Sequence, residues 1–334
     1  MKYVKHFKTE SDFNTERQNY YIEPWTSVTD GRGLDYNKNY TKIPFTIEVL
    51  GSGNITWALG DKTVQYSKNG GSWGTMTKNT TISVVEGDEV QFKGTNTNYS
   101  ENTISSTSQF NVKGNIMSLT DGDNFKTADT VNASGFHSLF KNCTYLVSAG
   151  DLKLPATTLA DNCYTRMFQG CTSLTTTPEL PAMTLANSCY YNMFRECTSL
   201  ITTPELPAMT LANSCYREMF AACSNLTTAP ELPATTLVDS CYIFMFYYCT
   251  SLTTAPELPA TTLVNNCYRF MFGNCSRLNY IKAMFTTTPS TTYTFSWVDG
   301  VAASGTFVKN SAAQWNVSGT NGIPSGWTIQ TASE

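Results

Sequence analysis

The sequence predicts an α+β chain: an N-terminal β-sandwich, then a solenoid of 26-residue repeats with one short strand and one short helix each, closed by a small β cap. Three observations predict it. Cysteines recur in pairs at a fixed period, residues 44–115 alternate apolar and polar side chains, and the tail from 286 carries short strand-like runs between glycines. At 334 residues the chain has room for two or three domains. The expected boundaries are an attachment arm at 1–43, the sandwich at 44–115, the repeats at 116–285 and the cap at 286–334.

The arm is polar and aromatic without a strong period. The next segment contains PFTIEVL, NITWAL, TVQYSKNGGSWGTM and TISVVEGDEVQFKG, with turn pairs such as Asn69-Gly70 and Glu86-Gly87, and reads as six to eight antiparallel strands. Asp121-Gly122-Asp123-Asn124 lacks the remaining ligand spacing of a calcium loop and reads as a turn. All six tryptophans, at 25, 57, 73, 297, 315 and 327, lie outside the repeats and suit core anchors of small β modules.

The repeats are legible residue by residue. From Cys163 onward cysteines stand eight apart, and the pairs recur every 26 residues, through Cys189 and Cys197 to Cys267 and Cys275. One unit reads CTSLTTTPELPAMTLANSCYYNMFRE from Cys171, and near-copies follow it. The segment before it, 143–170, is the same unit with two extra residues, and the ends are atypical, as a stacked array requires. In C-Y-x-x-M-F-x-x-C, apolar residues fall at offsets 0, 1, 4, 5 and 8, the stripe of a short helix. Asn162, Ser188, Ser214, Ser240 and Asn266 stand immediately before it, where a side-chain oxygen would cap a helix. The segment L-x-x-x-P-E-L-P cannot be helical and predicts a strand of only three or four residues. Strand, turn and short helix in each unit describe a leucine-rich solenoid.

The pattern C-x-x-L, then L-P, then M-F-x-x-C resembles the BspA-like leucine-rich repeats of bacterial surface proteins, whose unit carries a comparable A-F-x-x-C. The unit here is three residues longer, and Met replaces the small residue before Phe. The resemblance covers about 135–285. It implies a non-enzymatic binding or adhesion protein and brings no catalytic residues with it. The order of arm, sandwich and repeats also resembles receptor-binding or decoration proteins of phages that infect gut Bacteroidetes.

Composition narrows the function classes. Charged residues make up 14% of the chain and the net charge is -4, below the roughly 25% of an average protein, so no basic stripe for nucleic acid is expected. Only His6 and His137 are present, which argues against zinc hydrolases and Ser-His-Asp chemistry. Neither an enzyme activity nor a cofactor or metal is expected. No apolar run reaches the roughly eighteen residues that cross a bilayer, so no membrane insertion is expected, and no secretory signal is read in the first thirty residues. On a helix Cys163 and Cys171 would lie about 12 Å apart, too far for a disulfide. Cysteines of adjacent coils could come closer, but the odd count of 11 and the buried stripe favour free thiols packed as small hydrophobes.

Neighbouring units differ chiefly at offsets 2, 3, 6 and 7 from the first cysteine. There the outward-facing candidates are Tyr191, Arg195, Arg217, Ile243, Phe244, Tyr247, Tyr248, Arg269 and Phe270. Neutral drift at exposed positions is one reading; a partner site rich in Tyr and Arg is the other. A second candidate is the uniform ladder Glu179, Glu205, Glu231 and Glu257, expected on the concave side, with Lys153 and Lys282 near its ends. It reads either as a cation or glycan site, or as duplicated Glu held by Thr hydroxyls and solvent. The expected function is ligand binding on an outer surface, with a host-cell glycan or protein as partner and the N-terminal region joined to other virion proteins. A virion protein assembled in the cytoplasm leads. A bacterial surface adhesin, which would need export, and a purely architectural homo-oligomer remain open.

Overall fold

The computed structural model describes residues 40–332; the expected arm therefore lies, but for its last residues, outside the described segment. The described residues form mixed sheets with few helices and no closed barrel. No helix among them is long and apolar enough to cross a membrane.

Eight strands arise from the alternating segment: β1 (Thr46–Val49), β2 (Gly53–Trp57), β3 (Val64–Lys68), β4 (Gly74–Met76), β5 (Thr81–Val84), β6 (Glu89–Lys93), β7 (Ile104–Ser106) and β8 (Phe110–Asn115). They pair antiparallel in two sheets, β4-β3-β6-β1-β8 and β5-β2-β7. Alternation puts Ile47, Val90, Phe92 and Val112 of the first sheet and Ile55 and Trp57 of the second into one core. Across it Trp57 meets Phe92 edge-on at 5.6 Å. The Asp121–Asn124 run closes the four-residue helix α1 (Ser118–Asp121) and opens a 3-10 turn, with Asp123 paired to Lys93 at 2.6 Å.

A ninth strand, β9 (Leu146–Lys153), joins β8 in parallel, so the first repeat extends the N-terminal sheet. Beyond it every repeat is bonded to the next. The expected helix does not form in any unit. The segment C-Y-x-x-M-F-x-x-C is a chain of tight turns in which alternate N–H groups have different partners. In the first full unit Cys163, Thr165, Met167, Gln169 and Cys171 each donate to the carbonyl three residues back. The residues between them, Tyr164, Arg166, Phe168 and Gly170, donate to Cys189, Tyr191, Met193 and Arg195 of the following unit. A helix would turn all these donors onto its own backbone; the turn ribbon gives half of them to its neighbour.

Every fourth residue of the ribbon is left-handed: Asn162, Arg166 and Gly170 have φ of 58°, 56° and 73°. The residues expected as helix caps are therefore the left-handed residues that start each ribbon, a conformation in which Asn is favoured over most side chains. The buried stripe is nonetheless the one expected, because Cys163, Tyr164, Met167, Phe168 and Cys171 are all buried. Over nine residues a period of four places the same side chains inward as a period of 3.6.

Stacking makes this interior continuous. One column of rings runs Phe136, Tyr164, Tyr190, Tyr216, Tyr242 and Tyr268, with neighbouring centroids 5.8 to 6.0 Å apart. A second runs Phe140, Phe168, Phe194, Phe220, Phe246 and Phe272 at 5.3 to 5.8 Å. Two columns of thiols accompany them, and all eleven cysteines are free and buried. The second cysteine of each full unit donates its S–H to a Phe carbonyl of the coil before, as Cys197 does to Phe168 at 3.1 Å.

The L-x-x-x-P-E-L-P segments form no strands of three or four residues. Adjacent coils are joined instead by single parallel bridges, such as Thr158 to Thr184 and Thr184 to Thr210 three residues past the last proline, because the prolines lack the donors a ladder needs. Threonine hydroxyls supply part of the missing bonding, with Thr175, Thr227 and Thr250 donating to Val147, Ile201 and Ser224 one coil back. The C-terminal segment continues the stack. Residues 292–299 form one more ribbon, whose carbonyls at Tyr293, Phe295, Trp297 and Asp299 accept from the unit before. Three parallel strands stack beside it, β10 (Tyr280–Ala283), which precedes this ribbon, and β11 (Thr306–Lys309) and β12 (Thr328–Thr331), which follow it. Trp297, Trp315 and Trp327 are buried there with their indole N–H groups bonded to backbone carbonyls. Trp57 is buried too, Trp73 is exposed, and Trp25 lies outside the described residues.

Candidate binding face

The turn ribbon decides which side chains leave the core. Offsets 2, 3, 6 and 7 alternate with the buried stripe, and the inter-coil bonds align them in rows from one unit to the next. The named candidates fall into two neighbouring groups on these rows.

The first group is charged. Tyr191 lies between two guanidiniums, Arg166 at 5.7 Å and Arg217 at 5.3 Å from its ring. Arg195 pairs with Glu196 at 3.0 Å and with Glu218, and Arg217 pairs with Glu218 at 3.3 Å. Tyr191, Arg195 and Arg217 are thus brought together, the two arginines sharing Glu218 as their anion. These arginines are half-exposed, so their pairing is screened by solvent and orients the side chains more than it stabilises the fold.

The second group is aromatic. Phe244 and Phe270 stack in parallel at 4.6 Å, Tyr247 meets Phe244 edge-on at 5.0 Å, and Tyr248 meets Tyr247 edge-on at 4.6 Å. The sequence reading missed a fifth ring, Phe295, which lies edge-on to Phe270 at 5.2 Å. Its signal was present, since Phe295 stands 26 residues after Arg269 and so occupies the same offset one coil on. Arg269 lies over both Phe270 and Phe295, at 5.4 and 4.7 Å. Gly273 was missed as well. A Cβ there would stand 2.9 Å from the Tyr247 ring, so glycine is what lets that ring lie down on the backbone. Burial, then the charge and hydrogen bond of Tyr248, raise the Tyr247 phenol above its ordinary value.

Ile243 is a correction. It is only 5% exposed, although the sequence placed it outward beside Phe244. It shares offset 2 with Tyr191, Arg217 and Arg269, whose longer polar-ended chains reach solvent; an all-carbon side chain has no such end and is left covered. Tyr248, at 47%, is the most exposed ring of the group.

The glutamate ladder is exposed throughout, at Glu179, Glu205, Glu231 and Glu257. Its ends are paired, Glu179 with Lys153 at 3.5 Å and Glu257 with Lys282 at 3.0 Å. Among the described residues no group of three or more His, Cys, Asp or Glu side chains is placed to hold a metal ion. His137 is held by Ser100, whose Oγ is 2.9 Å from Nδ1, and lies 3.6 Å from Glu101; burial lowers its pKa.

No family model, characterised protein or solved structure matches this chain.

Proposed function

We propose that the protein is a non-enzymatic ligand-binding or adhesion protein of an outer surface, and that the aromatic group of the turn ribbon is its recognition site. One observation carries this reading: Phe244, Tyr248 and Phe270 occupy left-handed positions, with φ of 55°, 60° and 53°. A side chain with a Cβ is strained there by about 1 kcal/mol or more. The same two offsets hold Gly170, Asn192 and Asn274, which suit that backbone, and also Arg166, Glu196, Glu218 and Ala222, which gain nothing from it. The backbone therefore calls for no ring at these offsets, yet three rings stand together there, half exposed.

The repeats are read as a leucine-rich solenoid of BspA type. That reading rests on the sequence pattern and on buried Leu174, Leu200, Leu226, Leu252 and Leu278 at one position of each unit. With it comes the proposed setting, a fibre or decoration protein of a phage that infects Bacteroidetes, with a bacterial surface adhesin as the alternative. The N-terminal sandwich and arm would provide attachment, and the ribbon would face the host-cell glycan or protein.

The test is binding of the purified chain to Bacteroidetes cells and their isolated surface polysaccharides, beside the triple variant F244N/Y248N/F270N. Asn relieves the backbone while removing the rings. Loss of binding by a variant that keeps the parent's mass in light scattering supports the reading. Unchanged binding removes the aromatic group from recognition, and a change in mass alone makes it a subunit contact.

A further inference from the structure

Arginine is distributed unevenly in this acidic chain. Of the arginines among the described residues, Arg166, Arg195, Arg217 and Arg269 all lie on the ribbon face, and only Arg277 lies elsewhere. Opposite them on that face stand Glu196 and Glu218, which neutralise Arg195 and Arg217. Arg166 and Arg269 have no acidic partner within ion-pair distance among the described residues. Each instead lies over a ring, Arg166 5.7 Å from that of Tyr191 and Arg269 4.7 Å from that of Phe295. A guanidinium over a ring face keeps its N–H donors for an anion, which a carboxylate can meet in bidentate fashion.

We infer that the ribbon face binds an acidic polysaccharide lying along the stack, with sugar carboxylates on the edges of Arg269 and Arg166. This rests on the reading of the face as a recognition site and adds the chemistry of its ligand. The geometry favours a polymer with a repeat of its own. Successive coils are joined by backbone hydrogen bonds, which sets them about 5 Å apart, so the two unpaired arginines, four coils apart, are separated by about 20 Å along the stack. A chain of sugars spans that distance in an extended form and presents one acidic group after another. The surface between the arginines also suits sugars better than a protein knob. Phe244 and Phe270 are closed against each other at 4.6 Å and leave no seat between them for an inserted side chain. The Tyr247 hydroxyl stands near that of Tyr248 and near the Asn274 amide, forming a polar edge for sugar hydroxyls.

The experiment is calorimetric titration of the full chain with β-1,4-linked oligoglucuronate and with the cello-oligosaccharide of equal length, which carries a hydroxymethyl group in place of each carboxylate. The expected result is acidic binding tighter by roughly tenfold or more, a margin that shrinks with added salt. R269Q should remove most of that margin, read as the ratio of acidic to neutral affinity; R166Q should remove less, and R269K should restore part of the margin. Thermal midpoints equal to the parent's confirm that the variants are folded.

Equal affinity for the two oligomers overturns the inference, as does an acidic preference that survives R269Q/R166Q. Tighter binding of poly-L-glutamate than of oligoglucuronate also overturns it and makes the ligand an acidic polypeptide. If oligoglucuronate fails to bind while cell binding persists and still depends on Phe244 and Phe270, the inference falls and the recognition site stands. If cell binding survives F244N/Y248N/F270N, the recognition site itself falls.

Discussion

At Phe244 two local terms oppose each other. The left-handed backbone costs about 1 kcal/mol for a residue with a Cβ, and the parallel contact with Phe270 returns about 0.5–1.5 kcal/mol. The sum is near zero, so F244N is expected to change stability by less than about 1 kcal/mol in either direction. Two residues on, Phe246 belongs to the buried ring column between Phe220 and Phe272. F246A leaves a cavity with no route to collapse, because the coils above and below are fixed by backbone bonds, and its expected cost is about 3–5 kcal/mol. Urea titrations of the two variants check both values. Equal destabilisation would mean that Phe244 is a core residue rather than a recognition residue.

At the scale of one unit, each turn ribbon donates half its N–H groups to the next coil and accepts as many from the one before. Removing a whole unit restores every bond in the same register, whereas removing half a unit breaks all of them. Deletion of 197–222 joins Glu196 to Cys223 and is expected to give a folded, shorter protein of lower thermal midpoint. A 13-residue deletion in the same place should abolish cooperative unfolding, a contrast that circular dichroism resolves. How much of the unit the sequence made legible follows from the same geometry. The buried stripe, the free thiols and the rows of outward offsets depend only on which residues share a face, and spacing reports that directly. Helix and turn ribbon were not separable, since nine residues with a period of four and with a period of 3.6 bury the same five. The decisive signal is the destination of alternate N–H groups, which no side chain in C-Y-x-x-M-F-x-x-C encodes. Ile243 was placed outward because its offset is outward, and exposure at that row turns on side-chain length. Phe295 was missed because the repeat was followed by its cysteines, and the coil at 292–299 has none.

Across the whole molecule the thiol columns govern how stability responds to pH. Burial raises every one of the eleven thiols above its ordinary value near 9, to about 12 at Cys163, Cys215, Cys223 and Cys275 and about 11 at Cys143 and Cys267. Below about pH 8 the thiols are protonated in both states and contribute no pH dependence. Above it the unfolded chain loses protons that the folded chain retains, so the unfolded state binds fewer and stability falls as pH rises. With all eleven acting together the slope approaches a loss on the order of 15 kcal/mol per pH unit. A domain's whole stability is about 5–15 kcal/mol. The stack is therefore expected to unfold cooperatively between about pH 9 and 10. Below that range Ellman's reagent should find no reactive thiol, and through it all should appear at once. The tyrosine column acts in the same direction at higher pH, since burial raises Tyr164, Tyr190, Tyr216, Tyr242 and Tyr268 well above their ordinary value. Circular dichroism and thiol titration on one sample across this range decide the matter. A fold that persists at pH 10.5 with its thiols unreactive would show that the stack is stabilised by far more than an ordinary domain, whereas thiols appearing one by one would show that the coils open independently.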